Sequence, residues 1–458
     1  MKQTLARTSK TSLWALALML GAGLAAAMAL NWPGQFSPDS VWQLKQGREG
    51  VYNSWHPPVM AWLLGLFDRV TPGAGSFILF DAALGYGALF AFAALSPKPR
   101  WRTVALAGAL AASPLLVIYQ GDVWKDVLFA NASVAGFAAL AWSDRCCRRP
   151  MTGNSLAGLA FALFALAALT RQNGALIALF GAAGFGWAAW RRDRSSLRKA
   201  ALHGIVGLAG CLALAGIGGY ALALHSDGDP AQAEQVEWVQ AWDLAGALRV
   251  DPRLDLSALA AAAPDAAALV RGAAKVWQPQ RMDSLILYPG ADDALDGAGP
   301  AVGRQWRRLV LGRPLLYARV RLAVFGQILA TPEPMQCRPL FIGFDAPPQM
   351  LKSMQLTERH RPRDDWARAY GLAFVGSPVL SHLAYAGLAV ILLGLAAKDL
   401  ARPTAPSDRI AVIAMLVGSA AFAASFLVLG LACDYRYLYL VDLAAMAAFM
   451  HRAAAQPL

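Results

Sequence analysis

Charged residues are scarce in this chain, since Asp, Glu, Lys and Arg together make up only 15% of its 458 residues. Hydrophobic residues account for 57% of the chain, and its mean hydropathy is +0.41. A globule of this size with so little polar surface would not be well solvated in water. The composition therefore excludes an ordinary soluble domain and predicts a multi-pass membrane protein.

Cysteine is also scarce, with five residues and none of the spacings that metal sites use. Cys146 and Cys147 are adjacent, and Cys211 falls within an apolar run. This pattern excludes a fold held together by several disulfides. Cys337 and Cys433 are both predicted to lie outside the membrane, where a bridge between them is an open alternative in an oxidising compartment.

Acidic residues are outnumbered by basic ones, which gives a net charge of +12 and a pI near 9.7. A nucleic-acid-binding protein would place such charge among aromatic residues on one surface, whereas here it falls between apolar segments. Basic clusters between membrane spans mark the cytoplasmic side. We therefore interpret them as topology signals and expect no nucleic acid partner. The clusters include those at 145–149, 191–199 and 398–409.

Apolar runs of about 20 residues divide the chain into about ten predicted membrane spans. The first run, at 13–30, exceeds the apolar length of a signal peptide and is predicted to be an uncleaved anchor. The run at 59–70 is too short to cross and is predicted to lie at the outer interface. The predicted spans are 13–30, 76–95, 102–119, 126–142, 155–170, 174–190, 201–224, 372–397, 410–431 and 435–450.

The basic clusters place both termini in the cytoplasm and the polar loops outside the membrane. The long segment at 225–371 is also predicted outside, because long loops cross largely regardless of their charge. We therefore expect an all-α fold, a polytopic transmembrane helical bundle with a mostly helical extracytoplasmic domain. The predicted regions are an N-terminal transmembrane region (1–224), this outer domain (225–371) and C-terminal transmembrane helices (372–458).

Periodic apolar patterns predict three helical stretches within the outer domain. The part at 314–330 is nearly long enough to cross a membrane, but Arg319 and Arg321 lie near its middle, where charge is costly in lipid. We therefore predict an amphipathic helix at the interface, with its basic face near lipid headgroups or a phosphate. The three stretches are 231–250, 256–276 and 302–329.

Five polar motifs fall in the predicted outer loops, and their convergence on one membrane face is the strongest functional signal in the sequence. The first, Ser37-Pro38-Asp39-Ser40, has the residue types of a helix start, with Ser37 as N-cap and Pro38 in the first turn. Alternatively, Asp39 is a carboxylate held at the membrane surface, where it would deprotonate an acceptor hydroxyl as a general base.

The second motif is Trp55-His56-Pro57-Pro58. In one interpretation its prolines only end one element and begin the next, and a surface histidine needs no special role. In the other, His56 is held between an aromatic ring and a rigid backbone and donates to an anionic oxygen, with a pKa near neutrality. The sequence leaves both open.

The third motif, Asp122-Val123-Trp124-Lys125-Asp126, is expected at a helix start, where Asp122 and Asp126 share one face. It is either a salt-bridged helix start or a site in which Lys125 contacts a lipid phosphate while a carboxylate orients it or binds substrate. Two carboxylates also suit a divalent metal, but no third ligand lies near them in the sequence. No metal or cofactor is expected.

The last two motifs, Arg171-Gln172-Asn173 and Asp434-Tyr435-Arg436-Tyr437, each border a predicted span. A charged residue in such a place commonly extends towards the interface without a further role. In a functional site, Arg171 and Arg436 are the natural bidentate ligands of a phosphate, because a guanidinium fits phosphate better than an ammonium does. Asn173 and Tyr437 are expected beside them as substrate-binding residues.

The acidic element at 37–40, the His-Pro-Pro at 56–58 and a large late outer domain resemble the integral-membrane glycosyltransferases of the GT-C superfamily. The likeness is greatest to the branch of protein O-mannosyltransferases and aminoarabinose transferases. It covers most of the chain in layout but only short motifs in sequence. It implies transfer of a sugar from a polyprenyl-phosphate donor to a glycan, lipid or protein acceptor at the outer face of a bacterial cytoplasmic membrane.

The resemblance implies that Asp39 is the catalytic base and that His56 lies beside it in the active site. Direct displacement by the acceptor would invert the anomeric centre, and basic residues would stabilise the leaving lipid phosphate. The mannosyltransferases carry adjacent Asp-Glu in this loop, whereas Ser40 follows Asp39 here, so sugar and acceptor stay open. The expected phosphate ligands are Lys125, Arg171 and Arg436, and the reserve bases are Asp122 and Asp126.

Two other classes stay open. A transporter or lipid flippase should carry polar or broken helices near the bilayer midplane, whereas these spans are nearly free of charge there apart from Asp81. A glycan polymerase or ligase that uses a diphosphate-linked lipid donor would depend chiefly on outer-loop arginines. The donor headgroup would separate that class from the main interpretation.

Overall fold

Helices make up most of the structure, a computed structural model that describes residues 2–96, 99–194, 196–226, 228, 231–356, 361–402 and 407–455. Within those ranges β pairing is limited to isolated bridges. The expected all-α fold is confirmed. The first ten helices are α1 (Lys2–Asn31), α2 (Pro38–Glu49), α3 (Pro58–Asp68), α4 (Gly75–Ala94), α5 (Trp101–Ala111), α6 (Pro114–Val117), α7 (Lys125–Arg145), α8 (Pro150–Thr170), α9 (Ala175–Arg192) and α10 (Leu197–Ala223).

Shorter helices follow, because prolines interrupt the periodic stretches of the outer domain. The stretch predicted at 256–276 breaks at Pro264 and that at 302–329 breaks at Pro314, since proline has no N–H to continue a helix. The remaining helices are α11 (Ala231–Val250), α12 (Ser257–Ala262), α13 (Pro264–Val276), α14 (Asp283–Ile286), α15 (Ala291–Leu295), α16 (Gly299–Gly312), α17 (Pro314–Ala330), α18 (Pro348–Ser353), α19 (Pro362–Leu372), α20 (His382–Leu400), α21 (Asp408–Leu429) and α22 (Tyr439–Ala455).

Eight segments of the described chain are helical, long and apolar enough to cross a membrane, which identifies a multi-pass membrane protein. α5 and the short helical segment after it are apolar enough to form a ninth span together, but they are bent by 66° at the break before Pro114. The span predicted at 102–119 is therefore bent, and it is either one broken span or a re-entrant loop. The span predicted at 174–190 corresponds to α9. Two arginines at its end lower its mean hydropathy, although it packs within the bundle against α8, α10 and α21.

The span predicted at 372–397 begins later than the sequence suggested. Leu372 ends α19, and the apolar residues after it form an irregular connection in which Gly376 has φ +80° and Pro378 follows closely. α20 then begins at His382, where the hydroxyl of Ser381 accepts a hydrogen bond from a backbone N–H of the first turn. The predicted start at 372 is wrong, because hydropathy alone does not distinguish an apolar loop from a helix.

The sequence predicts that the basic face of α17 lies near lipid headgroups or a phosphate, and this is wrong for Arg321. This residue is 3% exposed, and its Nε lies 3.1 Å from Oδ1 of Asp243 in α11. It also donates from Nη1 to the carbonyl oxygen of Gly430 at 2.8 Å, just beyond the end of α21. Arg319, by contrast, is exposed. The buried arginine therefore fastens the outer domain to the end of a membrane helix.

α2 and α3 pack tightly together and carry the first two polar motifs. Gly47 and Gly65 meet where these helices cross, and a Cβ atom at either position would collide with the main chain of the other helix. α3 has 11 residues and is too short to cross a membrane, as the sequence predicted. Asp39 lies in the first turn of α2 and His56 lies just before α3, so this close packing brings the two together.

Candidate active site

All five polar motifs contribute to the wall of one cavity of about 690 Å³. Of the nine residues predicted for the site, seven line it and two do not. The outer domain supplies further walls that the sequence did not predict, including Arg281 and Arg338. The seven predicted residues on the wall are Asp39, His56, Lys125, Arg171, Asn173, Arg436 and Tyr437.

The structure places Asp39 in a capped helix start and also on the cavity. The Ser37 hydroxyl accepts a hydrogen bond from the backbone N–H of Ser40, and Pro38 occupies the first turn of α2. The Asp39 side chain is 39% exposed, and its Oδ2 lies 2.9 Å from Nη2 of Arg436. The two interpretations of this motif are therefore compatible, because the cap orients the helix that presents the carboxylate.

Asp39 is an anion throughout the physiological pH range. Burial in the cavity favours the protonated form and raises its pKa, but the charges of Arg436, His56 and Lys125 oppose this effect. The net result is a pKa well below the usual value of a carboxyl group. In the absence of substrate, this carboxylate is thus a weakly basic partner of Arg436.

His56 lies between Asp39 and Lys125. Its Nε2 is 3.8 Å from Oδ1 of Asp39, and its Nδ1 is 3.1 Å from Nζ of Lys125. Burial and the charge of Lys125 lower the pKa of His56 to about 3, so the near-neutral pKa expected from the sequence is wrong. When Lys125 donates to Nδ1, the neutral ring carries its proton on Nε2 and directs it towards Asp39.

Asp126 lies beneath the cavity floor rather than on its wall. It is 1% exposed, forms an ion pair with Arg171 and lies with Oδ2 3.8 Å from Nε of Arg436. A carboxylate held between two guanidinium groups orients both of them. The predicted direct contact of Asp126 with substrate is therefore replaced by a supporting role.

Asp122 does not lie on the cavity, and it does not share a helix face with Asp126 as predicted. A short 3₁₀ turn ends before it, Asp122 and Trp124 have extended backbones, and α7 begins only at Lys125. Asp122 is 1% exposed, and burial raises its pKa well above the usual value although Arg436 opposes the shift. The assignment of Asp122 as a substrate ligand is corrected, because the chain turns before the helix starts.

Aromatic rings position the two predicted phosphate ligands. The Cζ atom of Arg436 lies 5.0 Å from the ring centre of Trp124 and 5.7 Å from that of Tyr437. The Cζ atom of Arg171 lies 5.4 Å from the same Tyr437 ring. Cation–π contacts of this kind hold a guanidinium in place while its N–H groups remain available to a ligand.

Asn173, another predicted site residue on the cavity wall, donates a hydrogen bond to the hydroxyl of Ser425 at 2.7 Å.

A buried polar and aromatic cluster supports the loop that carries Arg436. His382 Nδ1 lies 2.9 Å from Asp442, both side chains are fully buried, and the His382 ring stacks on Tyr435 at 3.8 Å between centroids. Tyr119 packs edge-on against Tyr435 at 6.0 Å. Sequence reasoning did not find this support, because His382 and Asp442 are single polar positions within apolar runs.

A disulfide joins the outer domain to the same loop. Cys337 and Cys433 are bonded with their Cα atoms 4.9 Å apart, which realises the bridge that the sequence had left open. Asp434 follows Cys433 and shares its carboxylate between Arg281 at 3.1 Å and Arg436 at 3.4 Å. A charged residue directly after each outer cysteine was the sequence signal that would have pointed to this wall.

The chemistry of the wall is that of an anion site beside a carboxylate. Lys125, Arg171 and Arg436 supply N–H donors to one region, and Asp39 lies in contact with it. Within the described residues, no group of three or more His, Cys, Asp or Glu side chains is placed to hold a metal ion. These hydrogen-bond donors therefore suit the phosphate of a phosphate ester, and the group esterified to that phosphate would lie next to Asp39.

Comparison with known proteins gives one structural similarity. No protein-family model matches the chain, and no curated protein sequence matches it. The structure is similar to that of the archaeal oligosaccharyltransferase AglB from Archaeoglobus fulgidus, in complex with an inhibitory peptide and a dolichol-phosphate, with a TM-score of 0.41 and 13% identity. The alignment covers 95% of this chain and 50% of that one, so the chain spans about half the length of the archaeal protein.

Proposed function

We propose that this protein is a membrane glycosyltransferase of the GT-C type. It transfers a sugar from a polyprenyl-phosphate donor to an acceptor hydroxyl at the outer face of a bacterial cytoplasmic membrane. The observation that carries the proposal is the contact between Asp39 and Arg436 in a cavity that Lys125 and Arg171 also line. A base and a set of phosphate ligands side by side are what this transfer requires.

In the proposed reaction the acceptor hydroxyl attacks the anomeric carbon while Asp39 takes its proton. The new carbon–oxygen bond forms as the bond from the anomeric carbon to the phosphate oxygen breaks, and the electron pair leaves with the phosphate. Lys125, Arg171 and Arg436 stabilise the negative charge that develops on the phosphate. Attack opposite the leaving group inverts the anomeric centre.

Binding of the donor would itself activate Asp39. In the free protein Arg436 holds the pKa of Asp39 low, which makes the carboxylate a weak base. A donor phosphate competes for the same guanidinium and weakens the ion pair, so the basicity of Asp39 increases when substrate is present. Asp39 therefore becomes a sufficiently strong base only after the donor has bound, which is when the acceptor hydroxyl must lose its proton.

The cavity also has an apolar side that suits a prenyl chain. Phe426, Leu429 and Leu431 lie on its wall near the end of α21. Leu429 is 48% exposed on the surface of this membrane helix, so a lipid tail can remain in the bilayer while its phosphate reaches the cations. This arrangement supports a lipid-linked donor over a water-soluble nucleotide sugar.

The disulfide supports the proposed topology. Bonds of this kind persist in oxidising compartments outside the cytoplasm, and Cys337–Cys433 lies beside the cavity. The proposed orientation therefore places the cavity and outer domain outside, and both termini inside. Asp81, the residue that a transporter would use, is buried and accepts a hydrogen bond from Asn131 at 2.7 Å. A structural role for this pair weighs against transport.

A second candidate within the same class is a polymerase or ligase with a diphosphate-linked donor. Arg281 and Arg338 favour it, because they add guanidinium groups to the cavity beyond those that one phosphate needs. The two candidates share one fold and differ in whether the headgroup of the lipid donor is a monophosphate or a diphosphate.

The test is a comparison of envelope glycans and lipid-linked sugars by mass spectrometry. Cells carry the wild type, a deletion, Asp39→Asn or the control Asp265→Asn, whose parent residue is exposed in the outer domain. We expect the deletion and Asp39→Asn to lose the same sugar while a prenyl-phosphate sugar accumulates, and Asp265→Asn to match the wild type. Unchanged glycans in the deletion strain would refute the proposal.

A further inference from the structure

Arg338 differs from the other basic residues of the cavity because its side chain pairs with none of the described residues. Arg171 is paired with Asp126, Lys125 contacts His56, and Arg436 shares Asp434 with Arg281. Arg338 is exposed, lines the cavity and forms no ion pair or hydrogen bond through its side chain with any residue that the structure describes. An uncompensated guanidinium in a concave site attracts an anion.

The segment around Arg338 is fixed on three sides. The carbonyl oxygen of Gln336 accepts a hydrogen bond from Nε of Arg281 at 3.1 Å. Cys337 is bonded to Cys433, and the carbonyl oxygen of Pro339 accepts a hydrogen bond from the Tyr119 hydroxyl at 2.8 Å. The backbone of Arg338 is therefore held on the cavity wall while its side chain remains available.

The backbone of Arg338 is also strained. Its φ of 44° and ψ of 63° are left-handed, a conformation that residues with a Cβ rarely adopt. Glycine would fit this conformation without strain, yet an arginine occupies it. Strain of this kind is held where the surroundings fix the backbone, and it is concentrated at ligand-binding sites.

We propose that Arg338 forms a second anion subsite, which binds a phosphate or carboxylate other than the phosphate held by Lys125, Arg171 and Arg436. This inference rests on the proposed function and narrows its substrate class: one substrate carries a second negative group. That group is either the second phosphate of a diphosphate-linked donor or an acidic group on the acceptor. The chemistry at Arg338 is the same in both cases.

Binding measurements on purified protein in nanodiscs distinguish the two sources. The probes are farnesyl phosphate, farnesyl diphosphate and inorganic phosphate, and the variants are Arg338→Gln and Arg338→Lys. The control is Arg304→Gln, whose parent residue is exposed on α16 and is not on the cavity wall. Thermal unfolding of each variant verifies that it is folded.

If the second group belongs to the donor, the wild type binds the diphosphate more tightly than the monophosphate. One charge-assisted contact corresponds to a preference of about tenfold or more. Arg338→Gln then abolishes the preference but keeps the affinity for farnesyl phosphate, and Arg338→Lys keeps part of it. Arg304→Gln behaves as the wild type.

If the group belongs to the acceptor, the wild type binds the two prenyl probes equally. Inorganic phosphate then binds beside farnesyl phosphate in the wild type and in Arg304→Gln, but about tenfold more weakly or not at all in Arg338→Gln. An Arg338→Gln protein that matches the wild type with all three probes overturns the proposal.

Failure of the proposed function gives a different result. A wild type that binds farnesyl phosphate no better than farnesol has no prenyl-phosphate site, and the glycosyltransferase proposal fails. The subsite is then judged with inorganic phosphate alone: loss of binding in Arg338→Gln supports it, and unchanged binding overturns it.

Discussion

The indole N–H of Trp124 donates to the hydroxyl oxygen of Ser37 at 3.1 Å. Ser37 caps the helix that presents Asp39. Arg436, which forms an ion pair with Asp39, lies against the Trp124 ring. A single side chain thus positions both members of the Asp39–Arg436 pair. The two are 397 residues apart in the chain, so their contact depends on such shared supports.

Replacing Trp124 by Phe should therefore impair transfer without unfolding the protein. Phe keeps an aromatic ring, although a smaller one, but loses the bond to Ser37 and weakens the cation–π contact, so we expect kcat/KM to fall by about tenfold. Transfer assays with purified protein measure this change. The control is Trp101→Phe, which alters an exposed indole and should leave the rate unchanged. Equal effects of the two substitutions would contradict the positioning role.

Asp39→Asn should separate binding from chemistry. Loss of the base is expected to lower kcat by about 10²- to 10⁴-fold. Donor binding should be equal or tighter, because Arg436 loses the carboxylate that competes with the phosphate. Single-turnover rates and donor affinity are the two measurements. A loss of donor affinity as large as the loss of kcat would mean that Asp39 binds the donor rather than the acceptor proton.

The free protein should show no titration of His56 near neutral pH. Its pKa is lowered to about 3, so the ring is neutral at about pH 5 and above. Asp39 has a depressed pKa, so its pairing with Arg436 is present above the unfolded value of 3.8 and is lost only as the pH falls towards the folded value. We expect no inflection of kcat/KM from His56 or Asp39 between about pH 5 and pH 8. Burial lowers the pKa of Lys125 to about 7, so loss of its positive charge should reduce kcat/KM towards the upper end of this range. An inflection near pH 6.5 that disappears in His56→Gln would contradict this assignment.

Asp122→Asn should stabilise the protein at neutral pH. The carboxyl group has a pKa near 3.8 in the unfolded chain, whereas burial raises its pKa well above that value in the folded protein, so the native state binds the proton more tightly. The wild type therefore loses stability as the pH rises through this window, and the amide removes that loss. Thermal unfolding at about pH 4 and pH 7 measures the difference, which should favour the variant only at the higher pH. A less stable variant at pH 7 would show that Asp122 is ionised in the folded protein.

Removing the disulfide should weaken both stability and catalysis. The bridge spans a sequence separation of 96 residues, and its loss typically lowers the free energy of unfolding by about 2–5 kcal/mol. The double variant Cys337→Ser, Cys433→Ser also frees the neighbours Arg338 and Asp434, so transfer should fall more than folding alone explains. Unfolding and transfer assays test this, with Cys146→Ser, Cys147→Ser as the control pair. A variant that folds and transfers as the wild type does would show that the bridge supports neither.

The sequence predicts which residues gather at this end of the bundle, but not how they pair. Hydropathy and basic clusters assign loops to sides of the membrane, which is sufficient to bring Asp39, Arg171 and Arg436 to one face. The pairing of Asp39 with Arg436 depends on how the bundle closes, and no local pattern encodes it. The burial of Asp122 was missed for a related reason, since the extended backbones of Asp122 and Trp124 change the direction in which the Asp122 side chain points.

The part of the cavity wall that the outer domain supplies was not predicted, because its residues are far apart in the sequence and follow no common pattern. Arg281 and Arg338 lie in irregular segments without an apolar period, and only their relation to the disulfide reveals them. The break at Pro114 and the late start of α20 were visible as prolines and glycines, but a hydropathy window averages over such residues. Composition therefore locates spans better than it locates their ends.

The buried contacts of Arg321 with Asp243 and Gly430 couple the position of α17 to that of the segment after α21. The segment from Gly430 to Arg436 is joined to the membrane helix α21 through the chain. The Arg321 contacts also fasten this segment to the outer domain. α17 contributes no described residue to the cavity wall, yet a change in its position would be transmitted through Arg321 to the loop that carries Arg436. Under the proposed function, α17 would thus influence transfer although it lies outside the cavity wall.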